Sequence, residues 1–359
     1  VQLATIQQIL SGQNSLSLMA TGTGKSLCYQ FPTVVNKLNN KKGLTLVISP
    51  LIALMEDQVI KAKNLKLNAA VLHSGISSEV KTKTLETLEK GELDILLVTP
   101  ERFAKDNFQA AILKIAEKNE LNLLVVDEAH CLSMWGHDFR PDYSKLTQIQ
   151  NFLKNPVTLA LTATATKQVQ TDICQTLNIL PDKIQDSGIE RPNLGIHVHE
   201  VYGWDEKVRL IYGLNFQKTG AKIVYCSLIS SIYKITKELE KLKVPYYLYH
   251  GDLNFQDRQK SQKLFLQDPN GLMIATTAIG LGEDKHDIRL IVHAETPASL
   301  EAYFQEIGRA GRDGRPSEAH FLVDNDDVSI QMEFIKWGNP DAGFISSVFN
   351  LIKKNPDKI

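Results

Sequence analysis

The sequence predicts an α/β protein of two tandem domains, each with a parallel sheet, followed by a short helical C-terminal segment. Three observations predict it. Short apolar runs rich in branched residues alternate with segments of helical period, which is the βαβ pattern of strands buried on both faces. The alternation occurs twice, on either side of a looser stretch through Asp186, Gly188 and Pro192. The length, 359 residues at about 100–200 per domain, holds two or three such domains.

In the first series the strand candidates are 16–19, 44–48, 94–98, 121–126 and 157–161, with a helix over 51–62. A linker is expected near 185–195. The second series is 223–226, 246–250, 272–276, 289–293 and 320–323. A helix over 230–242 carries Lys237, Glu238, Glu240 and Lys241 on a wet face, which reads as solvated surface. Beyond about Asp327 the text changes to a further apolar helix around 344–352. The domain bounds that follow are 1–187, 188–327 and 328–359, the last being the start of a helical appendage. No fixed-period repeat and no low-complexity tract interrupts this order.

Composition narrows the function classes. At 43% hydrophobic and 23% charged, the chain has the balance of a globular protein and not of a disordered one. Forty Lys and Arg against forty-one Asp and Glu leave a net charge of −1, so no global positive field draws it onto a polyanion, and any such site is local. Its apolar runs fall far short of the roughly 20 residues that span a bilayer. The four cysteines, Cys28, Cys131, Cys174 and Cys226, form no CxxC pair, which fits neither a disulfide framework nor a zinc ribbon. They read as reduced, mostly buried thiols of a cytosolic or nuclear compartment. Histidines 73, 250 and 293 read as structural, and no His/Cys/Asp cluster shows metal-ligand spacing along the chain. The chain opens on Val1 and its first methionine is Met19, so further sequence is expected ahead of it.

The chemistry begins at the first strand, which runs into Ala20-Thr21-Gly22-Thr23-Gly24-Lys25-Ser26 and then into a helical stretch. This is a phosphate loop in its required context. Glycines let successive N–H groups point at phosphate oxygens, and the helix N-terminus adds its positive dipole end. Lys25 reaches the β- and γ-phosphates and the Ser26 hydroxyl ligates Mg²⁺. Met19 stands where the strict pattern has glycine. A second element follows the apolar strand 121–126, which delivers Asp127-Glu128-Ala129-His130 at its carboxyl end. Asp127 is expected to hold Mg²⁺, directly or through water, and Glu128 to orient and polarise the water that attacks the γ-phosphate. The third element is Gln305-Glu-Ile-Gly-Arg309-Ala-Gly-Arg312. Two arginines three apart, flanked by glycine, can present planar forks to phosphate oxygens and to developing transition-state charge. Alone, the segment reads equally as a basic surface loop.

Taken together these residues resemble the superfamily 2 helicases, and specifically the RecQ family of DNA helicases, over roughly residues 1–325. The family's motifs stand in order at 19–26, 49–58, 99–102, 127–130, 161–164, 223–226, 275–282 and 305–312. The most specific is Cys131-Leu-Ser-Met-Trp135-Gly-His137-Asp-Phe139-Arg140-Pro141, which is similar to the aromatic-rich loop that follows the Asp-Glu-Ala-His box in RecQ proteins. Its polar company suits a loop that stacks on bases.

The resemblance implies two RecA-like domains that use ATP and Mg²⁺. It implies that Gln2 reads the adenine edge, that Thr21 to Ser26 hold phosphates, that Gly282 and Asp284 line the nucleotide site, and that Gln305, Arg309 and Arg312 act with Lys25, Asp127 and Glu128 in catalysis. DNA contacts are implied at Ser49, Pro50, Thr99, Arg102, Trp135, His137, Phe139, Arg140, Thr276 and Thr277, mostly to backbone, as suits a motor that moves over any sequence. Leu228 and Ile229 stand where the family often has Ser-Arg, and the Phe-Arg usual upstream of Gln2 is absent. The implied activity is ATP-dependent 3′ to 5′ movement on single-stranded DNA with unwinding of tailed duplex, in the cytoplasm of a prokaryote or the nucleus of a eukaryote. Two other readings stay open: an RNA helicase or non-unwinding duplex translocase of the same superfamily, and a nucleic-acid-binding scaffold with a weak ATP site. No cysteine follows Cys226, so the family's four-cysteine zinc module is not expected within these residues, and zinc is not expected as a cofactor.

Overall fold

Thirteen strands among the described residues alternate with helices, and every strand pairing is parallel. The computed structural model describes residues 1–20, 22–134, 139–188, 190–217, 219–276 and 285–354. The chain divides into two units. The first holds 1–192 with 279–286 and 301–314; the second holds 193–278, 287–300 and 315–359.

In the first unit the strands are β1 (Ser15–Leu18), β2 (Leu44–Ile48), β3 (Ala69–Leu72), β4 (Ile95–Val98), β5 (Leu121–Val126), β6 (Thr158–Thr162) and β7 (Ile184–Asp186). Their order across the sheet is β3-β4-β2-β5-β6-β1-β7. Alternate residues point to opposite faces and both faces are covered. Leu46, Ile48, Leu124 and Val126 enter one apolar core, while Val47, Leu123, Val125 and Leu159 enter the other. Burial on both faces explains why these strands read as unbroken apolar runs.

In the second unit the strands are β8 (Leu194–Glu200), β9 (Ala221–Cys226), β10 (Tyr247–Tyr249), β11 (Leu272–Thr276), β12 (Ile288–His293) and β13 (Ser317–Val323), in the order β10-β11-β9-β12-β13-β8. Val224, Ile274, Val292 and Leu322 centre its core. The C-terminal helices are Asp327–Gly338 and Ala342–Lys354. Asp327, at the start of the first of them, accepts two hydrogen bonds from the buried Lys207 ammonium, at 2.6 and 2.8 Å.

Three strands lie outside the sequence expectation. β3 is four residues following a lysine-rich helix end, β7 is three residues of which two are half-buried and Asp186 is exposed, and β8 is an edge strand whose Gly, His and Glu break the apolar run. The stretch read as a linker therefore carries strand residues at both ends. The turns that bring helices back to the next strand adopt left-handed backbone at Gly12, Asn40, Lys66, Gly91, Asn119 and Asn155, at the sheet edge where strands begin. Among the described residues up to β6, the left-handed residues that follow a strand are Gly22, Gly24 and Glu128.

Candidate active site

Strand order explains why residues a hundred apart meet. β5 and β1 flank β6, so the loop after β1 and the turn after β5 leave the sheet at one end, about two strand spacings of 4.8 Å apart. The Met19 N–H donates to the Thr162 carbonyl at 2.9 Å, which carries the ladder one residue past β1 before the chain turns. Gly22 and Gly24 then take φ of +83° and +84°, a region that side chains with a Cβ rarely enter. The space is also closed: a Cβ at Gly24 would sit 2.5 Å from Gln2 Nε2, and one at Gly22 2.7 Å from Arg312 Cδ. The Gln2 amide donates to the carbonyls of Thr23 at 2.7 Å and Gly24 at 3.3 Å, so the first helix, Gln2–Leu10, is clipped to the loop. Ser26 stands at the N-terminus of the helix Leu27–Leu38.

Lys25 Nζ donates to Glu128 Oε1 at 3.4 Å, with both side chains mostly buried. Glu128 has φ +48° and ψ +49°, a left-handed conformation that costs a non-glycine residue about 1–2 kcal/mol. Its neighbours hold it there. The Asp127 N–H donates to the Ile48 carbonyl at 2.9 Å, and the Ser49 hydroxyl donates to Asp127 Oδ2 at 3.3 Å. Burial pushes the Tyr143 hydroxyl well above its ordinary pKa, and it donates to the Asp127 carbonyl at 3.1 Å. His130 Nδ1 shares a hydrogen bond of 2.9 Å with Thr162 Oγ1, tying this turn to the end of β6.

A cavity of about 330 Å³ is lined by Gly22, Lys25, Ser26, Asp127, Glu128 and Arg312, among others. A glycine-bounded loop, an ammonium and a guanidinium fit a polyphosphate. The Ser26 hydroxyl and Asp127 carboxylate are the hard oxygen donors that Mg²⁺ takes.

The arginine turn is held by a residue that the sequence reading left in the linker. Arg191 donates to the carbonyls of Gly308 at 3.3 Å, Ala310 at 2.7 Å and Gly311 at 3.2 Å. Gln305 lies on the helix Leu300–Ile307, and Arg309 and Arg312 follow it, both half-buried. No motif spacing pointed to Arg191, because its partners are more than a hundred residues away. Tyr143, His130 and Thr162, 16 and 32 residues from their partners, were missed as positioning groups because no motif spacing marks such pairs before the strands are in order.

The residues assigned to DNA divide. Ser49 is buried, with its hydroxyl turned to Asp127. Arg140 Nη1 donates to the Pro50 carbonyl at 3.3 Å, while Phe139 is exposed. Thr99 is buried ahead of the turn Pro100–Ala104, and Thr276 ends β11 in the second unit. Within that turn Arg102 keeps a buried Nε without a hydrogen-bond partner among the described residues, and burial draws its guanidinium below its ordinary pKa. Thr21, Trp135, His137, Thr277, Gly282 and Asp284 lie outside the described residues.

Residues 1–172 match the DEAD/DEAH box helicase family and residues 206–314 the helicase conserved C-terminal domain. The chain is 38% identical over 325 residues to the ATP-dependent DNA helicase RecQ of Bacillus subtilis, covering 90% of this chain and 53% of that protein. It is 36% identical over 356 residues to the probable ATP-dependent DNA helicase RecS of the same organism, covering 98% of this chain and 69% of RecS. The chain belongs to the RecQ family of DNA helicases. It carries the family's ATP-dependent helicase core and spans about half the length of the RecQ relative. Solved structures place the RecQ-family fold more widely: the helicase MrfA bound to DNA aligns with a TM-score of 0.73 at 16% identity, covering 94% of this chain and 51% of MrfA. The DEAD-box helicase Mss116 bound to single-stranded RNA aligns at 0.68 and 20% identity, covering 91% of this chain and 70% of the other. At such identities they show the two RecA-like α/β folds alone. Among the described residues no helix is long and apolar enough to cross a membrane.

Proposed function

We propose that this chain is the motor of a DNA helicase, which hydrolyses ATP at the loop after β1, moves 3′ to 5′ along single-stranded DNA and opens tailed duplex. The observation that carries the reading is the convergence of Lys25, Ser26, Asp127, Glu128 and Arg312 on one cavity. Lys25 pairs with Glu128. An arriving γ-phosphate offers Lys25 a more highly charged partner, and the exchange leaves the Glu128 carboxylate to accept a proton from the attacking water. Ser26 and Asp127 would hold Mg²⁺, which would supply positive charge to offset that of the phosphates. Arg312, packed against the glycine of the loop, places a planar fork where charge develops as the bond to the γ-phosphate breaks. Gln2 links the base of ATP to the loop through its hold on the Thr23 and Gly24 carbonyls.

DNA is read as backbone. The buried Arg102 Nε needs an acceptor, and a phosphate oxygen is a strong one. Arg140 links the aromatic-rich segment that would stack on bases to the turn of Glu128, since its N–H donates to the Cys131 carbonyl. Such contacts need no basic surface, which agrees with the net charge of −1. The compartment proposed is that of the DNA, cytoplasm or nucleus. The test is phosphate release with single-stranded DNA, duplex DNA and RNA oligomers, and strand separation on duplexes with 3′ or 5′ tails. Stimulation by single-stranded DNA and opening of the 3′-tailed duplex are expected. Equal stimulation by RNA, or preference for the 5′ tail, overturns the reading.

A further inference from the structure

At the β13–β8 edge of the second unit, four polar side chains gather on one face of the sheet. β8 and β13 are parallel and in register, with Gly195 opposite Glu318 and His197 opposite His320. Paired residues and their i+2 neighbours share a face, which puts His199 there as well. His320 is buried and its ring is held at both nitrogens: Nε2 lies 3.0 Å from Glu318 Oε2, and Nδ1 lies 2.9 Å from His199 Nε2. The His197 ring stacks on it with centroids 4.7 Å apart, and the His199 ring lies nearly parallel to it at 5.1 Å. Gly195 makes the room. A Cβ there would lie 3.2 Å from His197 Nε2 and 3.8 Å from Glu318 Cγ, so the His197 imidazole folds over the glycine toward the carboxylate. One donor atom each from His197, Glu318 and His320 then lie within 4.8 Å of one another.

We propose that this edge is a binding site for a divalent first-row transition cation such as Zn²⁺, with His197, Glu318 and His320 as ligands and His199 as a positioning residue on the far nitrogen of His320. Two imidazoles and a carboxylate form a borderline donor set that suits such ions and leaves a fourth position for water. A ligating histidine commonly has its other ring nitrogen fixed by a hydrogen bond, and His199 supplies one. His197 and Glu318 come from different strands, so the ion would staple the edge strand β8 to β13. The spacing of these residues along the chain hid the cluster, because its halves are some 120 residues apart and meet only through a parallel pairing.

The experiment uses the untagged chain, stripped with chelator and kept in excess Mg²⁺ so that hard oxygen sites are filled. Equilibrium dialysis against ZnCl₂ reads stoichiometry, and the visible spectrum with CoCl₂ reads nitrogen ligation. One ion per chain is expected, with a melting temperature that rises with Zn²⁺ concentration. His197 is exposed, so His197→Ala keeps the fold, as circular dichroism checks, and it should lose the ion together with the thermal response. His199→Ala should weaken binding about 10–100-fold. A parent protein that takes up no Zn²⁺, or a His197→Ala protein that binds it as tightly as the parent, overturns the site.

Discussion

Glu128 is held in a conformation that its own backbone disfavours, with its carboxylate beside the Lys25 ammonium. Such strain persists only where surroundings over-determine it, and here the fixing groups are the Ile48 carbonyl, the Ser49 hydroxyl and Tyr143. The side chain is thus placed by contacts within the fold itself. Glu128→Gln should lower DNA-stimulated turnover by about 10²-fold or more while ATP binding persists, because the amide keeps the shape and loses the base. Phosphate release beside nucleotide binding by fluorescence checks this, and parent-like turnover in the variant removes Glu128 from the chemistry. For Arg102 the expectation concerns salt. If its fork meets one DNA phosphate, Arg102→Ala should weaken single-strand binding alike for all sequences and reduce the slope of log affinity against log salt by about 1. Lys25, Ser26, Asp127 and Glu128 were legible in the sequence because loop and strand fix their spacing locally. Tyr143 and Thr162 were not, since a buried hydroxyl announces its partner only once the strands are in order.

Between elements, the Arg191 clip has the clearest consequence. Its guanidinium spans three carbonyls of the turn that presents Arg309 and Arg312. Loss of that clip leaves the turn's carbonyls without their fork, and misplacement of a catalytic group by about 1 Å can cost about 10²-fold. Arg191→Ala should therefore reduce kcat strongly with a smaller change in KM for ATP, and Arg191→Lys should restore part of it through a single contact. A change in KM alone would make the clip a binding feature. The same comparison shows where sequence patterns stop. Strands buried on both faces, such as β2 and β5, were legible as apolar runs, whereas β8 was hidden because an edge strand with a polar face lacks that signal. Arg191 was hidden further, lying in the Gly- and Pro-containing stretch that reads as a linker.

For the molecule as a whole, the buried Lys207–Asp327 pair ties the start of the helix Asp327–Gly338 to the helix Gly203–Gln217. Removing one partner of a buried pair leaves an uncompensated charge and costs about 3–5 kcal/mol. Lys207→Met should lower the stability of the second unit by this amount in a urea titration, and a change below 1 kcal/mol would mean that the charges are solvated. All four cysteines are buried, and burial pushes the Cys28 thiol up to about 11, so native thiols stay silent toward maleimides at neutral pH. Lys118 is exposed beside the left-handed Asn119, at the end of the first sheet away from the phosphate loop. A single Lys118→Cys substitution therefore gives one reactive handle without deleting any native cysteine, and a dye placed there rides on the ATPase unit as a reporter that takes no part in its chemistry.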